Sequence, residues 1–106
     1  MNDESVFGET LYHYAADNNR PHILQYLLHV DKKHIDKGGF MNMTPLHYAS
    51  YMGYIDCVQV LLSHGADPEM KDKFGRTPYG QVCEDTDDIS NKEEIRNMMK
   101  KYMNKI

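Results

Sequence analysis

One block of sequence recurs along this 106-residue chain with a period of roughly 33 residues, and this constrains its architecture more than any other feature. Thr44-Pro45-Leu46-His47-Tyr48-Ala49-Ser50 is echoed one period earlier by Thr10-Leu11-Tyr12-His13-Tyr14-Ala15-Ala16, and one period later by Thr77-Pro78-Tyr79. The match continues downstream, where Ile23-Leu24-Gln25-Tyr26-Leu27-Leu28 precedes Cys57-Val58-Gln59-Val60-Leu61-Leu62 at the same offset and with the same apolar pattern. Upstream of each Thr lies a turn sequence: Val6-Phe7-Gly8-Glu9, Phe40-Met41-Asn42-Met43 and Lys73-Phe74-Gly75-Arg76. A unit of this length holds one supersecondary motif, which buries its apolar face only by stacking on its neighbours.

Within a unit the residues read as turn, helix, turn, helix. Thr44 offers its hydroxyl to the free amides of a helix start, and Pro45 occupies the first helical position, where a missing N–H costs nothing. Thr77-Pro78 repeats the device. Gly53 closes the short helix in a left-handed conformation, and Asn19 takes the equivalent place one unit earlier. A second helix from about Tyr54 to His64 carries Ile55, Val58, Leu61 and Leu62 on one face and ends at Gly65. Its counterpart begins at Pro21, with Ile23, Leu24, Leu27 and Leu28 as the expected buried face.

The third unit departs from this pattern by a short insertion, placed in the acidic stretch Glu84-Asp85-Thr86-Asp87-Asp88. A long final helix is expected after it. Ser90 and Glu93 have capping-box spacing, and Ile95, Met98, Met99, Tyr102 and Ile106 follow at helical intervals. Glu93 and Glu94 near its start and Lys100, Lys101 and Lys105 near its end complement the helix dipole, so the segment reads as a terminal cap with a polar outer face.

The Thr44–Ser50 block, Gly53, the Val60-Leu61-Leu62 run and His64-Gly65-Ala66-Asp67-Pro68 together closely resemble the ankyrin repeat. The resemblance covers roughly residues 5 to 106, with a nearly complete middle repeat and degenerate first and third ones. It implies an all-α solenoid of stacked antiparallel helix pairs with β-hairpin-like finger loops between them. The expected organisation is a single domain spanning 1–106, with repeats at about 5–38, 39–71 and 72–106, the last including a C-terminal capping helix. Departures from the pattern are Leu11 for Pro, Asn19 for Gly, one extra residue in the Asp31 to Lys37 loop, and Gly80 where the third repeat should carry its His.

Composition limits what such an array can do. Twelve Lys and Arg against sixteen Asp and Glu leave a net charge of -4, with no basic field to attract a phosphate backbone, so no nucleic-acid partner is expected. A mean hydropathy of -0.70 argues against one heavily buried core, whereas stacked layers need none. Apolar runs such as Val60-Leu61-Leu62 fall far short of the roughly 18 residues needed to cross a bilayer, so no membrane span is expected. The first ten residues carry acids where a secretory signal carries a basic then an apolar region. Two cysteines make no disulfide framework, and the chain is expected to be a cytosolic or nuclear monomer.

No catalytic, cofactor or metal motif survives inspection, so the chain is not expected to be an enzyme or to need a cofactor. The motif histidines His13 and His47 read as structural hydrogen bonders, as the resemblance implies, while His22, His29, His34 and His64 lack metal-ligand spacing. Gly75 to Val82 has the two glycines of a phosphate loop, but Gln81 stands where Lys is required and Val82 where Ser or Thr would hold magnesium. Cys57 falls on a buried helix face and Cys83 at a small-residue position, which suits inert thiols. The Asn42-Met43-Thr44 sequon is set aside because its Thr is a helix cap. Asp85, Asp87 and Asp88 lack the order of a calcium loop.

Function must then come from recognition. Ankyrin-like proteins bind other proteins through finger tips and the exposed face of the first helices. Carried onto this chain, the finger positions are Val6, Phe7 and Glu9, then Phe40, Met41 and Met43, then Lys73, Phe74 and Arg76; the helix positions are Asp17 and Asn18, Tyr51 and Met52, Glu84 and Asp85. Phe40, Met41, Met43, Tyr51, Met52, Phe74 and Arg76 form the expected partner-binding patch, apolar with a polar border. Tyr14 and Tyr48 read as half-buried packing residues. The expected function is a non-catalytic interaction module, adaptor or regulator, that recognises a protein or peptide. The alternative is an ankyrin segment appended to a larger protein, such as an acyl-CoA-binding protein or an enzyme, whose partner binding it mediates.

Overall fold

The two threonine–histidine pairs nucleate the inner helices in the same way. In the computed structural model, which describes residues 10–82 and 89–103, Thr10 caps α1 (Leu11–Asp17) and Thr44 caps α3 (Pro45–Met52). Each Thr hydroxyl accepts from the backbone N–H of the His three residues on, and each His Nδ1 accepts from the Thr backbone N–H at 3.0 Å. Two orphan donors at each helix start are thereby satisfied. Asn19 at φ 54° and Gly53 at φ 77° adopt the left-handed conformation that turns the chain into the outer helices α2 (Pro21–Val30) and α4 (Ile55–Ser63).

Helices stack in two rows. The inner row is α1, α3 and a short 3₁₀ turn at Tyr79–Gln81; the outer row is α2, α4 and α5 (Ile89–Met103). Ala15, Ala16 and Ala49 are fully buried where α1 meets α3, so the backbones approach closely. Between the rows lie Leu24, Leu28, Leu46, Val58, Leu61 and Leu62, and Val82, Ile95 and Met99 extend the same core onto α5. The core is a ribbon running through the layers rather than one central mass. Tyr12 reinforces the first layer by donating its hydroxyl to the Asp31 carbonyl.

Several expectations are corrected. Ile23 is not on the buried face of α2: Leu24 and Leu28 are buried, Leu27 is partly so, and Ile23 is exposed. Tyr14 likewise is exposed, whereas Tyr48 is half-buried with its ring edge-on to His13 at 5.6 Å. The cause is shared, since Ile23 and Tyr14 sit on the side of the first layer away from the second. Helix α5 begins at Ile89, so Ser90 is inside it and is no cap, and no acidic residue occupies its first turn. Lys100 and Lys101 do lie in its last turn. In the third unit Thr77-Pro78 opens only a 3₁₀ turn, with the Gly80 N–H on Thr77 Oγ1 at 3.0 Å; there is no imidazole to complete the reciprocal cap. Residues Cys83, Glu84, Asp85, Asp87 and Asp88, the finger positions Val6, Phe7 and Glu9, and Ile106 lie outside the described residues.

Candidate partner-binding surface

Two fingers carry most of the expected patch, and each is shaped by its own short-range hydrogen bonds. In the first, Met41 (φ 55°) and Asn42 (φ 59°) are both left-handed, and the Met43 N–H donates to the Phe40 carbonyl at 3.0 Å, the pattern of a hairpin type I′ turn. Gly39 N–H closes the base on the Met43 carbonyl at 2.8 Å. No strand is assigned among the described residues, so the finger is hairpin-like in its turn rather than in any extended ladder. A Cβ at Gly38 would lie 1.9 Å from Asn42 Oδ1, so a larger residue there would have to displace the Asn42 side chain.

The second finger is organised by Asp72. Its carboxylate accepts from the backbone N–H groups of Phe74 at 2.8 Å and Arg76 at 2.9 Å, and from Arg76 Nε at 2.9 Å. Burial pushes the Asp72 carboxyl up, but these three donors outweigh it and hold the group below its ordinary range. Arg76, thus oriented, lies over the Phe74 ring at 4.8 Å. Sequence reasoning misses Asp72, although an acid four residues before Arg76 in a Gly-containing turn is a readable signal.

The fingers are tied together. Lys73 N–H donates to the Met41 carbonyl at 2.8 Å, and Asn42 Nδ2 donates to the Lys71 carbonyl at 3.3 Å. This brings Phe40 and Met41 beside Phe74 and Arg76, all exposed, on one edge of the array. Tyr51 meets the patch from α3, since it lines a cleft of about 480 Å³ with Gly75, Arg76, Thr77, Gly80 and Gln81. Gln81 Oε1 is buried there without a hydrogen-bond partner, and Gly80 leaves open the position that His13 and His47 occupy in the other units. Met43 and Met52 are half-buried, so they contribute less surface than the sequence mapping implies. Asp17 and Asn18 are exposed at the end of α1.

The remaining polar chemistry is structural. His13 Nε2 donates to the Met43 carbonyl and His47 Nε2 to the Arg76 carbonyl, each at 2.9 Å, so each motif imidazole stitches its own helix to the next finger. With Nδ1 accepting and Nε2 donating, the ring is the neutral tautomer, and burial lowers the His47 pKa. Cys57 is buried with its thiol pushed up to about 11 by burial and by Asp56, which suits packing and not nucleophilic attack. Among the described residues no three His, Cys, Asp or Glu side chains are placed to hold a metal ion, and no helix is long and apolar enough to cross a membrane.

A family model for ankyrin repeats in three copies matches residues 1–72, more than half of the sequence. The chain belongs to the ankyrin repeat family. Similar proteins include the palmitoyltransferase AKR1 of Lachancea kluyveri, 44% identical over 63 residues, or 59% of this chain and 8% of that protein. The palmitoyltransferase Hip14 of Drosophila melanogaster is 42% identical over 66 residues, and the human palmitoyltransferase ZDHHC17 is 39% identical over 66 residues; each match takes in 62% of this chain and 10% of the relative. The chain thus spans about a tenth of the length of these relatives. Ankyrin repeats as a family bind protein partners, and the all-helical stack of paired helices here is the scaffold on which they do so.

Proposed function

We propose that this ankyrin domain is a non-catalytic interaction module that binds a protein or peptide along the fingers and the adjoining inner helices. The observation that supports this best is the locked pair of fingers, which holds Phe40, Met41 and Phe74 exposed beside an Arg76 guanidinium already oriented by Asp72. Apolar side chains held in place bind at little ordering cost, and an Arg with one edge on Asp72 keeps its other edge for a partner carboxylate. The reading therefore names a segment with apolar residues next to an Asp or Glu. Tyr51, Met43 and Met52 complete the surface from α3 and the finger base. On this reading residues 1–106 act as one monomeric domain of three repeats in the cytosol or nucleus, with no cofactor, nucleic acid or membrane as ligand.

Selection from a random peptide library displayed on phage tests this proposal. Enriched peptides should share an apolar residue near an acid and lose binding to Met41→Glu with Phe74→Glu, while thermal melting of that variant stays near the parent's. Selected peptides that bind the double variant as well as the parent would show that the surface is wrong.

A second reading is favoured by the relatives' names. The matched proteins are palmitoyltransferases roughly ten times longer than the match, and on this reading the same module serves as the appended partner-binding segment of a longer enzyme of that kind. The peptide chemistry expected of the finger surface is the same in both readings.

A further inference from the structure

Among the described residues three buried side-chain atoms lack a hydrogen-bond partner: Ser50 Oγ, Gln81 Oε1 and Arg96 Nε. Of these residues Gln81 is the one that lines the cleft of about 480 Å³ beside the second finger, with Tyr51, Gly75, Arg76, Thr77 and Gly80. Gln81 is only 4% exposed, and its backbone N–H donates to the Thr77 and Pro78 carbonyls at 3.1 and 3.2 Å, so the turn fixes where its side chain starts. An acceptor buried without a donor costs stability. Its presence beside an open cleft is explained by a donor that arrives from outside the chain.

The cleft is open because the third unit breaks the repeat. Thr10 and Thr44 are each followed three residues later by an imidazole that caps the helix and reaches the next finger, whereas Thr77 is followed by Gly80. Arg76 lines the same cleft with Nε held on Asp72 Oδ2 and its side chain 46% exposed. One lining residue is thus a cation with an unused edge, and another is an acceptor without a donor. That pair selects its ligand by chemistry. A free carboxylate suits Arg76 but gives Gln81 nothing, and an ammonium suits Gln81 but is repelled by Arg76. An Asp or Glu within a peptide carries both groups, a carboxylate and, a few bonds away, its own main-chain N–H.

We infer that this cleft is the subsite for the acidic residue of a bound peptide, with the side-chain carboxylate on Arg76 and the main-chain N–H of that same residue on Gln81 Oε1. The inference rests on the reading of the finger edge as a peptide-binding surface and adds to it a specificity-determining residue, Gln81, that lies outside the fingers. The terminal torsion of a Gln amide is soft, so its carbonyl follows an entering N–H without moving the turn.

Calorimetric titration of the phage-selected peptides tests this by a double-mutant cycle. Each peptide is synthesised with its shared acidic residue either ordinary or N-methylated, which removes the one donor at issue. N-methylation should weaken binding ~10-fold in the parent and no more than ~2-fold in Gln81→Met. The urea midpoint of Gln81→Met should stay at or above the parent's, because an acceptor without a partner is gone. Gly80→His rebuilds the imidazole of the other units, fills the cleft and should weaken binding of the unmethylated peptide ~10-fold as well. Equal losses on N-methylation in parent and Gln81→Met, no loss in the parent, or parent-like binding by Gly80→His would each overturn the inference. The fingertip reading fails separately. Peptides that couple to Gln81 yet bind Met41→Glu with Phe74→Glu as tightly as the parent refute the fingertip contact and uphold the cleft, and peptides lost in that variant without coupling do the reverse. A selection that enriches no acidic peptide overturns both.

Discussion

His47 joins two units of the array through one ring: Nδ1 accepts from the Thr44 backbone N–H at 3.0 Å, and Nε2 donates to the carbonyl of Arg76 in the next finger at 2.9 Å. A helix cap and a finger anchor are thus one side chain, and the finger so anchored is the one that presents Arg76 and Phe74. His47→Ala should remove both, leaving a buried donor and acceptor without partners at a cost of about 1 to 3 kcal/mol. Urea unfolding gives the loss in stability, and hydrogen exchange should show faster opening over residues 72–82 than over α1 and α2.

Acid should weaken the same contact. The His47 pKa is lowered by burial, so the unfolded chain binds a proton more readily than the folded one. The stability contributed by the neutral ring is complete above the unfolded value near 6.5 and is lost as pH falls below it toward the folded value. Thermal midpoints measured from pH 7.5 to 5 should decline, and the decline should be shallower in His47→Gln. An equal decline in both proteins would assign the pH dependence to other groups.

Leu61 is fully buried between the two rows and belongs to the apolar ribbon that α4 shares with α2 and α5. Leu61→Ala should cost about 2 to 5 kcal/mol through lost burial and the cavity left behind. In a small array this approaches the whole stability, so far-ultraviolet circular dichroism should show a large drop in melting temperature or an unfolded chain.

Met41 holds a left-handed backbone conformation that disfavours a side chain, at φ 55°, yet it is exposed. Met41→Gly relieves about 1 to 2 kcal/mol of strain, against roughly 0.5 to 1 kcal/mol of added backbone entropy. The variant should be at least as stable as the parent by urea titration. It should nevertheless bind the selected peptides more weakly, since the side chain is part of the proposed contact surface. Lower stability in Met41→Gly would mean that the methionine packs rather than presents.

Much of the architecture was legible in the residues because the determinants are local. The Thr-x-x-His spacing, Pro45 at a first helical position, Gly53 and Asn19 in left-handed turns, and the Val58, Leu61, Leu62 stripe each act within a few residues, and each is found as read. The finger surface was legible as a set of positions but not as an arrangement. The Asp72–Arg76 pair is local and its spacing is readable, but nothing in the order of residues places the Lys73 N–H on the Met41 carbonyl, since that depends on how two loops meet.

The sequence by itself determined the repeat, the family and which residues share a helix face, because the repeat period and its caps are written in chemistry close along the chain. Only the tertiary structure decided which of those faces are covered. Ile23 and Tyr14 continue apolar patterns that look like core, yet they are exposed because burial depends on a neighbouring layer. Periodicity reports where a side chain points, and packing alone supplies what it points at.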